Sequence, residues 1–488
     1  MTDLSADFAA GKVSSETLTR AYLARIKAED TETRAVLAIN PEALQAAKAA
    51  DQRRAAGKTL GILDGMPVLL KDNIDVAGMP TTAGSLALKD NVPAKDSPMV
   101  RRLVEAGAVI LGKANLSEWA NFRSNWSTSG WSGVGGLARN PYDLARTASG
   151  SSSGPGVAAA MSLAAATVGT ETNGSVTSPA NVNGIVGLKP TVGLVSRTGI
   201  VPISHNQDTA GPMTRTVADN AALLTVMAGS DPADPATGEA DAHKTDYLKG
   251  LNRNALKGAR LGVLRFAKDY TPKTTTVYDA ALEALKAQGA VLVDITDFKF
   301  EDLSKYGQII LNTDFKEDIK AYLATTPPAV KTRTLSDLIA FNRATPRELL
   351  VFGQDRWEAA EKTSGFDDPL YREAVAVSQR TTGPDGIDKL LKDYNVVALI
   401  QPTGEPASLI DSATGLRSSG GPSASGAPAV AGYPHLTVPM GNVSGLPVGL
   451  SFIGTRWSEQ TLLSLGYAFE QATHARRAPD GKAGKMQF

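Results

Sequence analysis

Cysteine is absent from all 488 residues of the chain. This absence excludes disulfide frameworks, zinc sites built on cysteine and a cysteine nucleophile. Histidine is scarce as well, because the chain has only four, and none of them forms an HExxH motif or an i, i+4 pair. We therefore expect no metal site, and nucleophilic chemistry must use another residue type.

An excess of charge and long apolar runs are also missing. The 50 basic residues balance the 50 acidic ones without a basic block, so no electrostatic footprint for nucleic acid or an anionic membrane is visible. No apolar run reaches the roughly 18 residues of a membrane helix, and the opening MTDLSADFAAGK lacks the regions of a signal peptide. We predict a soluble protein with a neutral small substrate, located in the cytoplasm, or in the periplasm or outside the cell if a leader has been removed.

Strand and helix patterns alternate along the chain. Apolar runs predict strands at 68–70, 108–111, 261–266, 291–295 and 396–400, and helical spacing predicts helices at 98–105 and 277–289. This succession is typical of an α/β protein with right-handed crossovers and a mixed, mostly parallel sheet covered by helices on both faces. Ligand sites in such sheets lie beyond the carboxyl ends of the strands.

The same patterns favour one domain over residues 1–488. We expect N-terminal helices in 1–60, a catalytic core in 61–231, a charged and helix-rich part in 232–386 and a return to the core in 387–488. A separate domain for the charged part is the alternative. The run SSGGPSASGAP at 418–428 predicts a mobile loop or a pocket wall.

Three consecutive serines stand in the stretch TASGSSSGPG at 147–156. The letters GSSSG match GxSxG, the nucleophile elbow of α/β-hydrolases, with Ser152 as the nucleophile. An elbow must follow a buried strand, whereas the preceding ten residues, NPYDLARTAS, carry only Tyr142 and Leu144 as sizeable apolar groups. We therefore interpret the match as a coincidence, and a plain flexible loop remains the alternative.

The segment ETNGS at 171–175 is the better candidate. Residues 155–165 predict a helix and 166–170 a strand, each about 16 Å long, so the chain returns to the end of the layer where Ser151 lies. Asn173 and Gly174 tolerate backbone angles that turn N–H groups inward. We predict an oxyanion hole made by the N–H groups of Thr172, Asn173, Gly174 and Ser175, with the Ser175 hydroxyl attacking a carbonyl.

A serine nucleophile needs a base, and no histidine is suggestively placed. Lys71 ends the apolar run MPVLL, at the carboxyl end of a predicted buried strand. Burial there would lower the pKa of its amine and allow it to act as a base. An ordinary solvated lysine after a strand is the alternative.

Four motifs then form a recognisable set: GMPVLLKDNIDV, GSSSGPG, GTETNGSVTSPA and NGIVGLKPTVGLVS. In this order and spacing they closely resemble the amidase signature family, and the resemblance extends over nearly the whole chain. The segments LSEWANFR, SGWS, GTET and QDTAGPM are most similar to the bacterial peptide amidase branch.

The resemblance implies a Ser-cisSer-Lys triad on a single α/β/α sandwich with a large mixed sheet. Carried over by position, Ser175 is the nucleophile, Ser151 is the bridging serine in a cis peptide and Lys71 is the base. Ser152 and Ser153 then support the loop, and no cofactor or metal is required.

Two departures from the family pattern bear on the substrate. Asn173 stands where the peptide amidase branch commonly has aspartate, which removes a charge but not a backbone N–H. Thr177 replaces an arginine that is common in the wider family, and this disfavours the transamidation subunits.

We therefore expect hydrolysis of a small-molecule or short peptide amide through an acyl-enzyme, with C-terminal peptide amides as substrates and ammonia as the product. The alternatives are a broader aryl-acylamidase, ester or carbamate hydrolase, the A subunit of a tRNA amidotransferase, and a non-catalytic amide-binding protein. No nucleic-acid or membrane partner is expected, and the chain is predicted to be a monomer or a homodimer.

Overall fold

A central sheet of 11 strands organises the protein, of which a computed structural model describes residues 1–410 and 421–479. A separate pair, β4 with β5, forms a two-stranded sheet. The strands are β1 (Val36–Ile39), β2 (Pro67–Lys71), β3 (Val109–Ala114), β4 (Trp131–Ser132), β5 (Gly136–Leu137), β6 (Ala166–Glu171), β7 (Val186–Lys189), β8 (Thr209–Thr214), β9 (Arg260–Leu264), β10 (Val291–Ile295), β11 (Ala398–Pro402), β12 (His435–Val443) and β13 (Leu446–Ile453).

The central sheet is mixed, as predicted, and its strand order is β1-β3-β2-β6-β8-β7-β12-β13-β11-β9-β10. The expectation of a mostly parallel sheet is wrong, because six of the ten neighbouring pairs are antiparallel and four are parallel. The tight turn at Ser444 and Gly445, both at positive φ, joins β12 and β13 as a hairpin. Strand β8 also lies between β6 and β7 and is antiparallel to both.

Helices cover both faces of the sheet. Several begin at a side-chain cap: Ser14 accepts the N–H of Thr17, and Ser97 precedes the predicted helix at 98–105 and accepts the N–H of Val100. The helices are α1 (Thr2–Ala9), α2 (Ser15–Glu29), α3 (Ala43–Ala55), α4 (Pro98–Glu105), α5 (Ser153–Ala160), α6 (Thr177–Val182), α7 (Val217–Met227), α8 (Ala240–His243), α9 (Pro272–Ala287), α10 (Ser304–Thr325), α11 (Leu335–Ala344), α12 (Asp355–Ala360), α13 (Pro369–Thr382), α14 (Lys389–Asp393), α15 (Gly426–Ala431) and α16 (Glu459–Thr473).

The helix predicted at 155–165 is shorter in the structure and lies earlier. Helix α5 ends at Ala160, since Ser162 adopts a positive φ of 54°. The guanidinium of Arg215 donates to the carbonyls of Ala164 and Ala165 at 2.9 and 3.2 Å, so these groups need no helical partner. Strand β6 nevertheless returns the chain to the predicted edge, because the N–H of Ser152 donates to the carbonyl of Ser175 at 3.1 Å.

Strands β2, β3 and β6 form the part of the core that holds the candidate site. Every residue of these three strands is buried. They run parallel, with Leu70 in register with Val168, so β2 and β6 end at the same edge of the sheet. This arrangement brings residues almost 100 positions apart in sequence together at one edge.

The charged part of the chain packs over this edge. Phe315 and Ile319 of α10 and Trp357 of α12 form an apolar cluster with Trp119 and Phe122. Trp119 and Trp357 meet edge to face, with ring centroids 5.2 Å apart. Within residues 1–410 and 421–479, no helix combines the length and hydropathy needed to cross a bilayer.

Candidate active site

Lys71 is the last residue of β2, and its side chain is fully buried. Its Nζ lies 2.7 Å from the Ser151 Oγ, 2.8 Å from the Thr170 Oγ1 and 3.2 Å from the Thr170 carbonyl oxygen. Burial lowers the pKa of Lys71 to about 7, although the carboxylates of Asp208 and Glu171 oppose this shift. The amine is therefore substantially neutral near pH 7, as a lysine base requires.

Two other lysines in the described part of the chain are equally buried, and their surroundings differ. The Nζ of Lys113 lies 3.1 Å from the Asp72 carboxylate, with which it forms a direct ion pair. The Nζ of Lys189 donates to the carbonyl of Pro190 at 3.1 Å. Of these three buried lysines, only Lys71 donates to a serine hydroxyl.

Ser151 follows a cis peptide bond with Gly150, as the resemblance implied. Its carbonyl accepts the N–H of Ser117 at 3.0 Å, which fixes the loop against the chain that follows β3. Its hydroxyl faces Lys71, and the next residue, Ser152, is hydrogen-bonded to Ser175. The structure thus brings the predicted base, the bridging serine and the predicted nucleophile to one place.

Ser152 and Ser153 point into the protein rather than into a cleft. The Ser152 hydroxyl donates to the carbonyl of Thr170 at 3.0 Å and accepts its N–H at 3.2 Å. The Ser153 hydroxyl donates to the carbonyl of Ser149 at 2.6 Å. Both side chains are completely buried, so these contacts support the predicted role in shaping the loop and disfavour Ser152 as a nucleophile.

A buried carboxylate organises the turn between β6 and α6. Glu171 accepts the N–H groups of Gly174 at 2.8 Å, Val176 at 2.8 Å and Thr177 at 3.0 Å. The Gly174 N–H is therefore engaged, which narrows the predicted oxyanion hole to the N–H groups of Thr172, Asn173 and Ser175. Gly174 itself has a φ of 80°, and a Cβ there would lie 2.8 Å from the Ser178 Oγ.

Thr172 is held from the opposite side by the segment QDTAGPM. Its hydroxyl donates to the Asp208 carboxylate at 2.5 Å, and its carbonyl accepts the side-chain amide of Gln207 at 3.1 Å. Asp208 also accepts the N–H groups of Ile203 and Ser204 at 2.8 and 2.9 Å. Burial raises the pKa of Asp208 to about 6, so its carboxylate is ionised where Lys71 becomes neutral.

Asn173 joins the turn to a distant segment. Its Oδ1 accepts the Ser425 hydroxyl at 2.7 Å, and Ser425 lies 3.0 Å from the Ser423 hydroxyl. An aspartate at position 173 could accept the same hydrogen bond, so the asparagine changes the charge of the turn but not this contact.

The predicted nucleophile opens into a cleft of about 510 Å³. Ser149, Gly150, Thr172, Asn173 and Ser175 form one wall, and we call this space the serine cleft. Three further segments also line the serine cleft, and they contribute Ser127 and Ser129, then Leu311 and Arg356, and then Gly421, Pro422, Ser423 and Ser425 of the predicted loop or pocket wall. Residues 418–420 of the predicted loop lie outside the described residues.

Three residues of the site were not predicted from the sequence, namely Thr170, Glu171 and Asp208. The role of Glu171 could have been predicted. A carboxylate at the end of a buried strand needs hydrogen-bond donors, and the N-terminus of the next helix, a few residues later, offers backbone N–H groups. The roles of Thr170 and Asp208 could not, because their contacts with Lys71 and Thr172 depend on strand register.

The role of Glu171 can be tested with Glu171→Gln. The amide has one acceptor oxygen instead of two and no charge, so we expect a loss of about 2 kcal/mol in the free energy of unfolding. We also expect kcat for amide hydrolysis to fall by about tenfold or more, because the turn that carries Ser175 loosens. Thermal melting and steady-state kinetics measure the two effects.

Asp337→Asn is the matched control for this experiment. Asp337 also accepts two backbone N–H groups, from Arg333 and Thr334 at 2.8 and 2.9 Å, but it caps α11 away from the serines. The Asp337→Asn variant should be less stable than the wild-type protein, and its kcat should be unchanged at temperatures well below the melting temperature. Equal kcat values for the two variants would contradict a positioning role for Glu171.

Comparisons with known proteins identify relatives that match almost the whole chain. The family model described as Amidase matches residues 17–463. The crystal structure of native peptide amidase from Stenotrophomonas maltophilia superposes with a TM-score of 0.92 at 47% identity, covering 98% of this chain and 97% of that one. A probable amidase of Arabidopsis thaliana is 38% identical over 98% of this chain and 90% of its own length. The A subunit of the glutamyl-tRNA(Gln) amidotransferase of Chloroflexus aurantiacus is 34% identical, over 98% and 97%.

The matched region takes in Lys71 at the end of β2, Ser151 in the loop before α5 and Ser175 in the turn before α6. The resemblance inferred from the motifs, including the likeness to bacterial peptide amidases, is confirmed. The chain belongs to the amidase signature family, and it is an amidase.

Proposed function

We propose that this amidase removes the terminal amide group of peptides carrying a C-terminal carboxamide, through an acyl-enzyme on Ser175, and releases ammonia. The observation that carries the proposal is the buried amine of Lys71, 2.7 Å from the Ser151 hydroxyl, with Ser175 adjacent at the wall of a cleft. The 47% identity to a peptide amidase supports the choice of substrate.

The proposed reaction uses groups of this chain and one water molecule. Neutral Lys71 accepts the proton of Ser151 as Ser151 accepts the proton of Ser175. The Ser175 oxygen then bonds to the amide carbon, and N–H groups of Thr172, Asn173 and Ser175 stabilise the oxyanion. The proton returns through Ser151 to the departing nitrogen, the carbon–nitrogen bond breaks and ammonia leaves. Water, deprotonated by the same relay, hydrolyses the ester and restores Ser175.

The serine cleft suits a peptide as the acyl half of the substrate. Its volume lies within the range of about 300–1,000 Å³ that is usual for ligand sites. Serine hydroxyls at positions 127, 129 and 423 offer hydrogen-bond partners for peptide groups, and the guanidinium of Arg356 lies at the same cleft.

The test compares an N-acetylated dipeptide amide with the corresponding free acid and anilide. We expect ammonia and the dipeptide acid from the amide, with the internal peptide bond intact by mass spectrometry. Aniline release without any ammonia release from primary amides would favour the broader aryl-acylamidase function. Ester and carbamate analogues of the same dipeptide extend the comparison to those leaving groups.

The similarity to amidotransferase A subunits makes a second candidate function worth testing. Thr177, which stands where the wider family commonly has arginine, has its N–H and hydroxyl bound to the Glu171 carboxylate. We expect the purified chain alone to hydrolyse peptide amides. Dependence of all turnover on a second protein would favour the amidotransferase role.

A further inference from the structure

A second and larger cleft, of about 1050 Å³, reaches the candidate site from another direction. Its inner end is formed by Asn73, Thr170 and Thr172, and its outer walls by residues 93–98, 197–203 and the face of α10 that carries Ala321 and Tyr322. Thr172 borders both this space, which we call the amine cleft, and the serine cleft.

The amine cleft meets the site on the side of the base. At its inner end the Thr170 hydroxyl accepts both the Lys71 Nζ at 2.8 Å and the side-chain amide of Asn73 at 3.0 Å. The serine relay must deliver a proton to the departing nitrogen, so the leaving group has to face the relay. The acyl half then occupies the serine cleft, and the amine half points toward the amine cleft.

Among the charged residues that line the amine cleft, carboxylates predominate. Its carboxylates are Asp75, Asp96, Asp208, Asp231, Asp234 and Asp318, against the cations Lys95, Arg101 and Arg197, with His205 as a further titratable group. Arg197 is paired with Asp234. Asp96 accepts a backbone N–H, from Ala77 at 2.8 Å, and Asp318 accepts the N–H and ring nitrogen of His205.

We propose that the amine cleft binds the amine half of N-substituted amides, with a preference for amines that carry a second, cationic group. This inference rests on the proposed hydrolysis by Ser175 and adds a leaving-group site to it. The reaction is the same: the carbon–nitrogen bond breaks, the amine takes the relayed proton, and water releases the acid. A cleft of this volume far exceeds the space of about 30 Å³ that an ammonia-sized molecule occupies.

The same acidic lining disfavours leaving amines that carry a carboxylate. Hydrolysis of the last peptide bond of a peptide with a free C-terminus would leave an amino acid whose carboxylate faces the aspartates of the amine cleft, and like charges repel. The preference for cationic amines and the sparing of the last peptide bond in free-acid peptides thus have one electrostatic cause.

The test uses three secondary amides of N-acetylphenylalanine that share the acyl group and differ only in the amine. The amine is putrescine (cationic end), pentylamine (uncharged end) or γ-aminobutyrate (anionic end), and the primary amide is measured alongside. We expect kcat/KM for the putrescine amide to exceed that for the pentylamine amide by about fivefold or more at low ionic strength, and the γ-aminobutyrate amide to be the poorest of the three.

Matched variants on α10 and in the segment 93–98 test whether the amine cleft causes the preference for the putrescine amide. The double variant Asp96→Asn with Asp318→Asn should bring the putrescine-to-pentylamine ratio close to one, whereas Glu317→Gln, one residue from Asp318 but outside the cleft, should keep it. Ala321→Trp fills the cleft, so it should lower kcat/KM for the putrescine amide by about tenfold relative to the primary amide. Ala324→Trp, exposed on the same helix outside the cleft, should leave all four substrates unchanged.

The outcomes separate this inference from the proposed function. Ammonia release from the primary amide without cleavage of any secondary amide would overturn the amine cleft and keep the peptide amidase proposal. Cleavage of secondary amides with no dependence on charge, or no effect of Ala321→Trp, would also overturn the amine cleft. Cleavage of the putrescine amide with the expected variant effects, but no ammonia from primary amides, would support the amine cleft and reject ammonia release as the function.

Discussion

Ser175→Ala is expected to lose amide hydrolysis by about 10⁴-fold to 10⁶-fold, with the fold unchanged. The variant removes the protein atom that bonds to the substrate carbon in the proposed reaction. Ser175 is small and lies at a cleft wall, so its removal leaves no large cavity. Ammonia release and the thermal melting curve measure the two parts of this prediction.

Covalent labelling makes the Ser175 prediction sharper. A serine-directed fluorophosphonate should modify the wild-type chain at Ser175, as located by peptide mass spectrometry, and should not modify Ser175→Ala. An amide-binding protein without catalysis would take no label at all. This outcome would reject the acyl-enzyme independently of the choice of substrate.

Ser152→Ala is the matched control, because Ser152 is the nucleophile that the GSSSG motif would indicate. Its hydroxyl bridges the backbone N–H and carbonyl of Thr170, so its loss costs about 1–2 kcal/mol of stability. We expect most of the activity to remain. Inactivation of a folded Ser152→Ala protein would restore the elbow interpretation.

Lys71→Met is the second variant with a large expected effect, a loss of about 10³-fold or more in kcat. Methionine fills similar space but cannot accept a proton, so the hydroxyls of Ser151 and Ser175 keep their places without a base. Near-normal turnover in Lys71→Met would reject Lys71 as the base. Circular dichroism and melting distinguish loss of chemistry from loss of fold.

The pH dependence follows from the direction of the Lys71 shift. Only the neutral amine accepts a proton, and the pKa of Lys71 is lowered to about 7, so kcat/KM should rise as pH increases through about 7. A rate that is constant across this range, or that falls as pH rises through it, would contradict a neutral lysine base.

Stability should respond to the same titration. The unfolded chain holds the Lys71 proton up to the ordinary lysine pKa of 10.5, whereas the folded chain releases it near pH 7, so the unfolded state binds more protons between these values. Wild-type stability should therefore rise relative to Lys71→Met as pH increases from 7 toward 10, by a few kcal/mol in all. Chemical denaturation of both proteins across this pH range measures the difference.

The strand ends that carry the candidate site could be predicted from the sequence. Apolar runs located β2 and β3 within three residues at each end, and the motif set brought Lys71, Ser151 and Ser175 together. Sheet direction was missed, because an apolar run carries no information about which neighbour it pairs with. The end of α5 was missed for a similar reason: Arg215, 55 residues after Ala160, binds the carbonyls that follow the helix.

Tertiary hydrogen bonds within the site were not predicted from local sequence patterns either. Glu171 had no assigned role in the predicted segment 171–175, whereas in the structure it binds the backbone N–H groups of the turn. The oxyanion hole was therefore predicted with four donors, and one of these, the Gly174 N–H, is directed to the carboxylate. Local patterns indicate which residues carry chemistry, and tertiary contacts decide which of their hydrogen bonds remain open to a ligand.

The neighbouring positions of β2 and β6 have a consequence for refolding. Lys71 and Thr170 are 99 positions apart, and Asn173 and Ser425 are 252 apart, so the site needs pairings of high contact order. Such pairings form late, after the helices, when loop closure over long chain segments has been completed. During renaturation, recovered catalysis should consequently lag behind the far-ultraviolet helical signal, which makes enzymatic assay a probe of completed sheet assembly.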